Sequence, residues 1–365
     1  MTIGLVVTNA HVFSNGMNQN AIYLYILMKT SGFKCELLSF EPSLSVIENI
    51  PVRHLTPANV CDFTTIITVS TGLDKEIYDK CLKTGIQVIG YVCSNQLCMA
   101  IEETATAHSR STIIGHTTPI QKAWIFDGFP FMKTYIELMR RVKAEYVSHV
   151  WNASIIENYC ATRMKKDPNL MVYNPSKHIS PKINIVICES NLNFVKTGIV
   201  PLLAAEKLYV LNPDLIQEIF LFSYPTESKA LDAMVSNLRC GHLVRKFTRQ
   251  VIPHIFCHFN EKIPVPVFVA HQIYTPLNYS YYETMYYGFP FVHNSPTLKD
   301  YGHYYTDMDI DMCAIQIMKA FKTHASEFET RLTNNRKWLE FIDPVHPSCV
   351  ERWRPILASL VKELK

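Results

Sequence analysis

Several chemistries are excluded by what the chain does not contain. Its eleven cysteines are scattered, odd in number and include no C-x-x-C pair, so neither a disulfide framework nor a zinc ribbon is expected. Cys61, Cys188 and Cys257 lie inside apolar runs and read as small buried hydrophobes in a reducing, intracellular setting. There is no G-x-G-x-x-G, so a dinucleotide cofactor is not indicated. No apolar run approaches the roughly twenty residues that span a bilayer. The chain starts Met-Thr-Ile-Gly-Leu-Val-Val-Thr, a strand pattern rather than a charged segment before a long apolar one. No secretory signal is therefore expected, and the protein is placed in the cytoplasm. An excess of charge of one sign is also missing: 35 basic against 32 acidic residues leave +3, which permits a nucleic acid or another anionic ligand and demands neither. No internal repeat and no low-complexity segment is visible.

What is present is apolar and alternating. Hydrophobic residues make up 48% of the chain and charged ones 18%, the composition of a well-packed globular enzyme. At 365 residues the chain exceeds the size at which one core stops growing, so two domains are expected. Strand patterns at residues 3–8, 34–40, 64–70, 87–92, 112–115 and 123–126 alternate with helical ones at 20–30 and 75–83. The same grammar restarts after a loop-like stretch at 167–181. Strands are expected at 183–188, 218–222, 252–256 and 265–270, helices at 199–211 and 229–238. Alternation of this kind predicts an α/β architecture of two doubly wound, mostly parallel sheets. The expected division is 1–165, 166–340 and a tail at 341–365 that ends in a helix near 350–364.

The segment from Tyr274 to Ser295 carries the most information. It reads as a turn, a short helix, a glycine stop at Gly288 and a buried strand at 289–292. Pro276 suits the first turn of that helix, and Glu283 is expected two turns in, placed to accept hydrogen bonds from a pair of sugar hydroxyls. A helix N-terminus directs free N–H groups at whatever lies in front of it, which suits a diphosphate. The bland alternative is an ordinary helix–strand unit with Glu283 on the surface. Pro276, Leu277, Glu283, Met285, Gly288, Pro290 and Val292 resemble the donor-binding segment of GT-B glycosyltransferases, P-L-x-x-x-x-x-E-x-M-x-x-G-x-P-x-V. The resemblance implies a ribose held by Glu283 and phosphates facing the Pro276, Leu277, Asn278 and Tyr279 loop. It also implies two Rossmann-like domains facing a central cleft, with the last helix crossing back to the first domain.

Other candidates follow from strand ends, where open α/β sheets bind ligands. After the first strand come His11, Ser14, Asn15, Gly16 and Asn18. Gly16 is expected to face the donor, and His11 is a candidate base because imidazole titrates near neutral pH. Asp127, in Asp127-Gly128, is a second base candidate, although Asp-Gly also occurs for turn geometry alone. In the second half, Glu189, Asn191 and Lys196 follow a strand, and Lys196 is expected to neutralise a donor diphosphate. Arg245 belongs to a basic cluster with Lys246 and Arg249 that suits either the same role or a solvated loop. Asp307-x-Asp309-x-Asp311 imitates a metal-binding D-x-D, but helix capping explains it better. His254 and His258 would share a helical face, yet 251–259 reads as a strand and lacks the glutamate of H-E-x-x-H. No metal and no catalytic cofactor is expected; a nucleotide-sugar, with UDP as the nucleotide, serves as co-substrate.

Trp124, the helix at 135–141, Trp151, Glu189-Ser190-Asn191 with Lys196, His271-Gln272, and Val292-His293-Asn294-Ser295 are similar to a family of uncharacterised GT-B proteins from bacteria and large DNA viruses, including tailed phages. Ser190 departs from the proline expected at its place. That resemblance implies a host cytoplasm if the source is viral. It points to 5-hydroxymethylcytosine in double-stranded phage DNA as acceptor, with the basic, aromatic stretch 133–143 meeting phosphates. A surface or capsid glycan is the alternative acceptor. A non-catalytic binding protein is the alternative function, with Tyr279, Tyr281, Tyr282, Tyr286 and Tyr287 forming an interface patch.

Overall fold

The computed structural model describes residues 2–106, 119–129, 131–191, 193–225, 228–261, 263–276 and 278–362. The expected strand at 112–115 and Leu277 lie outside the described residues. In chain order the strands are β1 (Thr2–Val6), β2 (Lys34–Ser39), β3 (Val46–Ile47), β4 (Ile50–His54), β5 (Thr65–Val69), β6 (Gln87–Val92), β7 (Lys122–Phe126), β8 (Lys143–Val147), β9 (Ile183–Ile187), β10 (Ile216–Leu221), β11 (Val244–Lys246), β12 (Val265–Val269), β13 (Phe291–His293) and β14 (His303–Tyr304). The helices are α1 (Val12–Asn15), α2 (Met17–Thr30), α3 (Lys75–Thr84), α4 (Gln96–Thr106), α5 (Met132–Arg140), α6 (Ser154–Thr162), α7 (Ile199–Leu211), α8 (Lys229–Asn237), α9 (Ile252–Phe259), α10 (Tyr279–Tyr286), α11 (Ile310–Thr323), α12 (Phe328–Leu339) and α13 (Pro347–Lys362). The chain forms two compact units, one of Met1–Ile155 with Leu339–Lys365, the other of Ile156–Trp338.

The first unit is built on a sheet ordered β3-β4-β2-β1-β5-β6-β7-β8. All pairings are parallel except the short β3–β4 hairpin. Its turn residues Glu48 and Asn49 both have positive φ, the geometry that matches strand twist in a two-residue turn. Central strands covered on both faces read as continuous apolar runs, and all five residues of β5 are buried. A Cβ on Gly4 in β1 would lie 2.3 Å from Leu38 Cδ1, so the buried Leu38 side chain would have to shift to admit one. The tail returns to this unit, as expected. Trp353 of α13 packs edge-on against Trp124 of β7 with ring centroids 5.7 Å apart, both fully buried. Trp151 N donates to Ile342 O at 2.8 Å and Asn152 Nδ2 to Asp343 Oδ1 at 3.1 Å.

The second unit carries an all-parallel sheet ordered β11-β10-β9-β12-β13-β14. Ile183, Ile185 and Ile187 of β9 and Val265, Val267 and Val269 of β12 form its core with Leu202, Ala205 and Leu208 of α7 and Ile317 of α11. The expected strand at 252–256 is instead α9. The β-branched and aromatic run mimics a buried strand, but Pro253 in the first turn and the buried Phe256 and Phe259 place one helical face against the sheet. His254 and His258 thus do occupy successive turns of a helix. His254 Nε2 lies 3.4 Å from Tyr159 OH, and the His258 ring packs edge-on against Phe259. Among the described residues no helix is long and apolar enough to cross a membrane.

Replacing the fully buried Trp353 tests the tail's role. W353A is expected to lower the unfolding free energy of the first unit by about 3–5 kcal/mol in denaturant titration; a loss under about 1 kcal/mol would mean that α13 is dispensable to that unit.

Candidate functional site

The carboxyl ends of β9, β12 and β13 gather the polar side chains of the second unit. Gln272, beyond β12, and Asn294, beyond β13, bracket each other. Gln272 N donates to Asn294 Oδ1 at 2.8 Å, Asn294 Nδ2 to Gln272 O at 2.8 Å, and Gln272 Nε2 to Asn294 O at 3.1 Å. Gln272 Oε1 then accepts from Thr275 N at 2.6 Å, which fixes the approach to α10. Asn294 Nδ2 also donates to Asp307 O. These amides carry no charge, so the loop geometry does not depend on pH.

Two buried histidines are set by the same strand ends. His293 lies between Tyr301 O, 2.7 Å from Nε2, and Ser295 N, which donates to Nδ1 at 3.1 Å; this assigns the proton to Nε2. Burial pushes its pKa down to about 4, so the ring is neutral. His271 Nδ1 lies 2.9 Å from Tyr305 OH, whose proton goes to Ala270 O. Nδ1 is therefore the donor, and Nε2 is a buried acceptor without a partner among the described residues. Burial again lowers the pKa, to about 4.

The helix α10 starts later than expected. Asn278 is its N-cap, with Oδ1 accepting from Ser280 N at 3.3 Å and from Ser280 Oγ at 2.9 Å. Pro276 therefore stands outside the first turn, with its carbonyl accepting from Ser295 Oγ at 3.4 Å. Glu283 is consequently the fifth residue of an eight-residue helix, little more than one turn in. The C-terminus closes as expected: Gly288 has φ +75, Gly288 N donates to Met285 O and Phe289 N to Thr284 O, the paired bonds of a left-handed glycine stop. The proposed tyrosine patch is not on the surface. Tyr281, Tyr282 and Tyr287 are buried, and Tyr286 stacks under the Arg336 guanidinium at 4.8 Å while its hydroxyl donates to Glu157.

Glu283 is 3% exposed and its carboxyl makes no hydrogen bond or ion pair among the described residues. Burial raises its pKa from 4.5 to about 8. A buried acid without a partner is costly, and such groups concentrate where a ligand completes the bonding. Glu189 follows β9 and is 1% exposed. Its Oε1 accepts from Tyr281 OH at 2.9 Å and from His271 N at 3.1 Å, while Oε2 has no partner among the described residues. Burial raises this pKa to about 7, opposed by Lys196, Tyr281 and His271. The loop after Glu189 turns back on itself. Asn191 adopts φ +51, which asparagine tolerates; its N donates to Lys196 O at 3.1 Å and its Oδ1 accepts from Gly198 N at 2.7 Å. Lys196 is thereby carried into the field of Glu189; its own pKa is lowered by burial and raised in part by that carboxyl.

Glu189, Asn191, Lys196, Asn278, Tyr279 and Glu283 thus share one edge of one sheet. Arg245 does not join them: it lies on the edge strand β11 and donates to Glu218 Oε1 at 3.0 Å. His11, Gly16 and Asp127 belong to the first unit. His11 caps α1, accepting from Phe13 N at 3.3 Å, and Gly16 supplies the left-handed joint between α1 and α2. Asn18 anchors this loop, accepting from Thr8 N at 2.9 Å and donating to Ala10 O at 2.6 Å. Asp127 follows β7, beside Arg352 and bonded to Ser148. Since β5 and β6 separate β1 from β7, the strands that lead to His11 and to Asp127 lie about 14 Å apart. Asp309 caps α11, accepting from Met312 N at 2.8 Å, and Asp311 pairs with Lys207. No cluster of three or more metal-ligating side chains occurs among the described residues. The residues that sequence reasoning did not assign to the site are His271, Gln272, Asn294 and Tyr305; the first three were detectable as polar residues directly after apolar strands.

A family model described as "Protein of unknown function (DUF2827)" matches residues 1–357. No curated protein matches the sequence. Among solved structures, a glycosyltransferase from Rickettsia africae is similar at 12% identity and a TM-score of 0.60, over 100% of this chain and 98% of the other. HepE from Anabaena in complex with UDP-glucose is similar at 12% identity and a TM-score of 0.63, over 98% and 100%. The pneumococcal O-GlcNAc transferase GtfA in complex with UDP and GlcNAc is similar at 8% identity and a TM-score of 0.60, over 99% of each chain. What these likenesses share with the chain is the GT-B fold, with two parallel-sheet units.

The raised Glu283 pKa has a stability consequence with a definite sign. The folded state holds the proton up to about pH 8 and the unfolded state only to about 4.5, so stability is lost as pH rises through that window. Between about pH 5 and pH 9, wild type is expected to lose on the order of a few kcal/mol more than E283Q. Denaturant midpoints at the two pH values check this; parallel losses would place Glu283 in water.

Proposed function

We propose a glycosyltransferase activity for this chain, which belongs to the family described as protein of unknown function DUF2827. The donor is a nucleotide-sugar, with UDP as the nucleotide, and it binds at the carboxyl edge of the second unit's sheet. The observation that carries this reading is Glu283: a buried carboxyl with no partner among the described residues, on a short helix that ends in a glycine stop. A cis-diol supplies two hydroxyl groups, each able to donate or accept, that match the two oxygens of one carboxyl, and a ribose presents that pair. Similar folds solved with UDP and UDP-glucose support the choice of nucleotide.

In the proposed mechanism, Lys196 and the Pro276, Leu277, Asn278 and Tyr279 segment meet the diphosphate, so that charge building on the departing nucleotide is met by an ammonium and by N–H groups at the start of α10. Asn191 and Gly198 hold the loop that carries Lys196. Gly16 lends the first unit's loop its turn. An acceptor hydroxyl attacks the anomeric carbon and the nucleotide leaves with the bonding pair. An inverting route uses a base, His11 or Asp127, to take the hydroxyl proton; Arg245, bound to Glu218, is left out. For the acceptor we propose the hydroxymethyl group of 5-hydroxymethylcytosine in DNA, supported by Lys133, Arg140, Arg141 and Lys143 on and after α5, which suit a phosphate backbone.

The donor assignment predicts that E283A weakens UDP binding at least about tenfold, the value of one or two hydrogen bonds to the carboxyl, with the fold unchanged. Calorimetry reads this, and unaltered affinity would remove Glu283 from the donor site. The acceptor is tested by mass spectrometry of hydroxymethylcytosine DNA and of simple glycans incubated with UDP- and GDP-sugars. A hexose or pentose mass gain on the DNA is expected; gain on a glycan alone would replace the DNA acceptor, and donor turnover without transfer to DNA would discard it.

A further inference from the structure

Glu189 sits where a diphosphate site ought to be positive. The carboxyl is buried on the loop that carries Lys196, so the ammonium meant to neutralise phosphate already lies in the field of a negative group. The arrangement is built rather than incidental. Oε1 is fixed from two elements, by Tyr281 OH of α10 and by the His271 backbone after β12. Oε2 is left without a donor in the interior. A carboxylate oxygen that is buried and unbonded is poorly stabilised as an anion, so it is the atom at which a proton lowers the energy most.

The groups that face this carboxyl come from each surrounding segment. Lys196 lies on the loop after β9, with Arg249 beyond it on the loop before α9. Cys188 is its chain neighbour and feels both Glu189 and Glu283. Tyr281 approaches from α10, Tyr305 from the segment after β14, and His271 from the end of β12. Lys196 is the cation that acts on Glu189, and His271 is neutral. An arriving diphosphate brings at least two negative charges to that cation. It engages the ammonium and repels the carboxylate, both of which favour the neutral acid.

We propose that Glu189 is a positioning residue that stores a proton: binding of a nucleoside diphosphate at the Lys196 loop is coupled to uptake of one proton from solvent at Glu189 Oε2, which frees the Lys196 charge for the phosphates. This rests on the donor-site reading above. No bond other than O–H forms, and the proton is supplied by water or buffer. The carboxyl acts through Lys196 and does not touch the nucleotide. Nucleotide affinity then carries a term that weakens as pH rises above neutrality, because the proton must be taken from an increasingly dilute source.

The test is UDP binding to the full chain by calorimetry, near neutral pH and about one unit above, in buffers of different ionisation enthalpy. The terminal phosphate of UDP also titrates in this range, so the comparison is between wild type and E189Q, which keeps Oε1 as an acceptor for Tyr281 and His271. Wild type is expected to take up about 0.5–1 proton more than E189Q, and its affinity to fall with pH by up to about tenfold per unit relative to the variant. E189D, which keeps an ionisable group, is expected to retain the linkage and serves if E189Q does not fold. Binding with equal proton counts in wild type and E189Q, or a proton count in E189D that matches UDP alone, overturns the inference and leaves the donor site standing. Absence of UDP binding to wild type overturns both.

Discussion

Three hydrogen bonds between Gln272 and Asn294 hold the carboxyl ends of β12 and β13 at a fixed spacing, and the rest of the candidate site hangs from that bracket. Through Gln272 Oε1 it sets Thr275 and thus the run into α10. Through Asn294 Nδ2 it ties in the segment before α11. Buried amides that satisfy one another are stiff and indifferent to pH. The acids around them are neither satisfied nor indifferent.

That contrast gives the site its physical character. A neutral frame positions Glu283 and Glu189, two carboxyls that burial drives toward their protonated forms. Each costs the fold stability that a leucine or glutamine of similar size would not cost. Structural acids are normally placed opposite a cation or on the surface, as the Arg53 and Lys246 ion pairs of this chain show. A free energy cost retained in the interior at the ligand-binding edge of a parallel sheet is the mark of groups whose partner arrives with the ligand.

Much of the fold was legible because the signals were local. Nine of the fourteen described strands announced themselves as apolar runs, whereas β3, β4, β8, β11 and β14, short or rich in polar residues, did not; α7 was bounded as observed, and Gly288 marked the end of α10 by its freedom at positive φ. The run 251–259 misled because its β-branched and aromatic residues satisfy a strand pattern as well as one buried helical face. The start of α10 was misplaced because proline in a first turn is permissive, whereas Asn278 makes the capping bond that decides the boundary. Glu189 was singled out by its place after a strand, and Glu283 by its place in a helix that resembles a donor-binding segment. What they bond to was not legible: Glu189 meets Tyr281 and His271 across 92 and 82 residues of chain, contacts that only the packed sheet creates. The same holds for Arg245, which looked free in sequence and is tied to Glu218 two strands away from Lys196's loop.

The central claim is that Glu283 is the ribose ligand of a nucleotide-sugar. A crystal structure of the protein soaked with UDP tests it most directly. The account predicts the two ribose hydroxyls within hydrogen-bond distance of the Glu283 carboxylate, with the phosphates between Lys196 and the start of α10. A ribose bound elsewhere, with Glu283 still unpartnered, would contradict it.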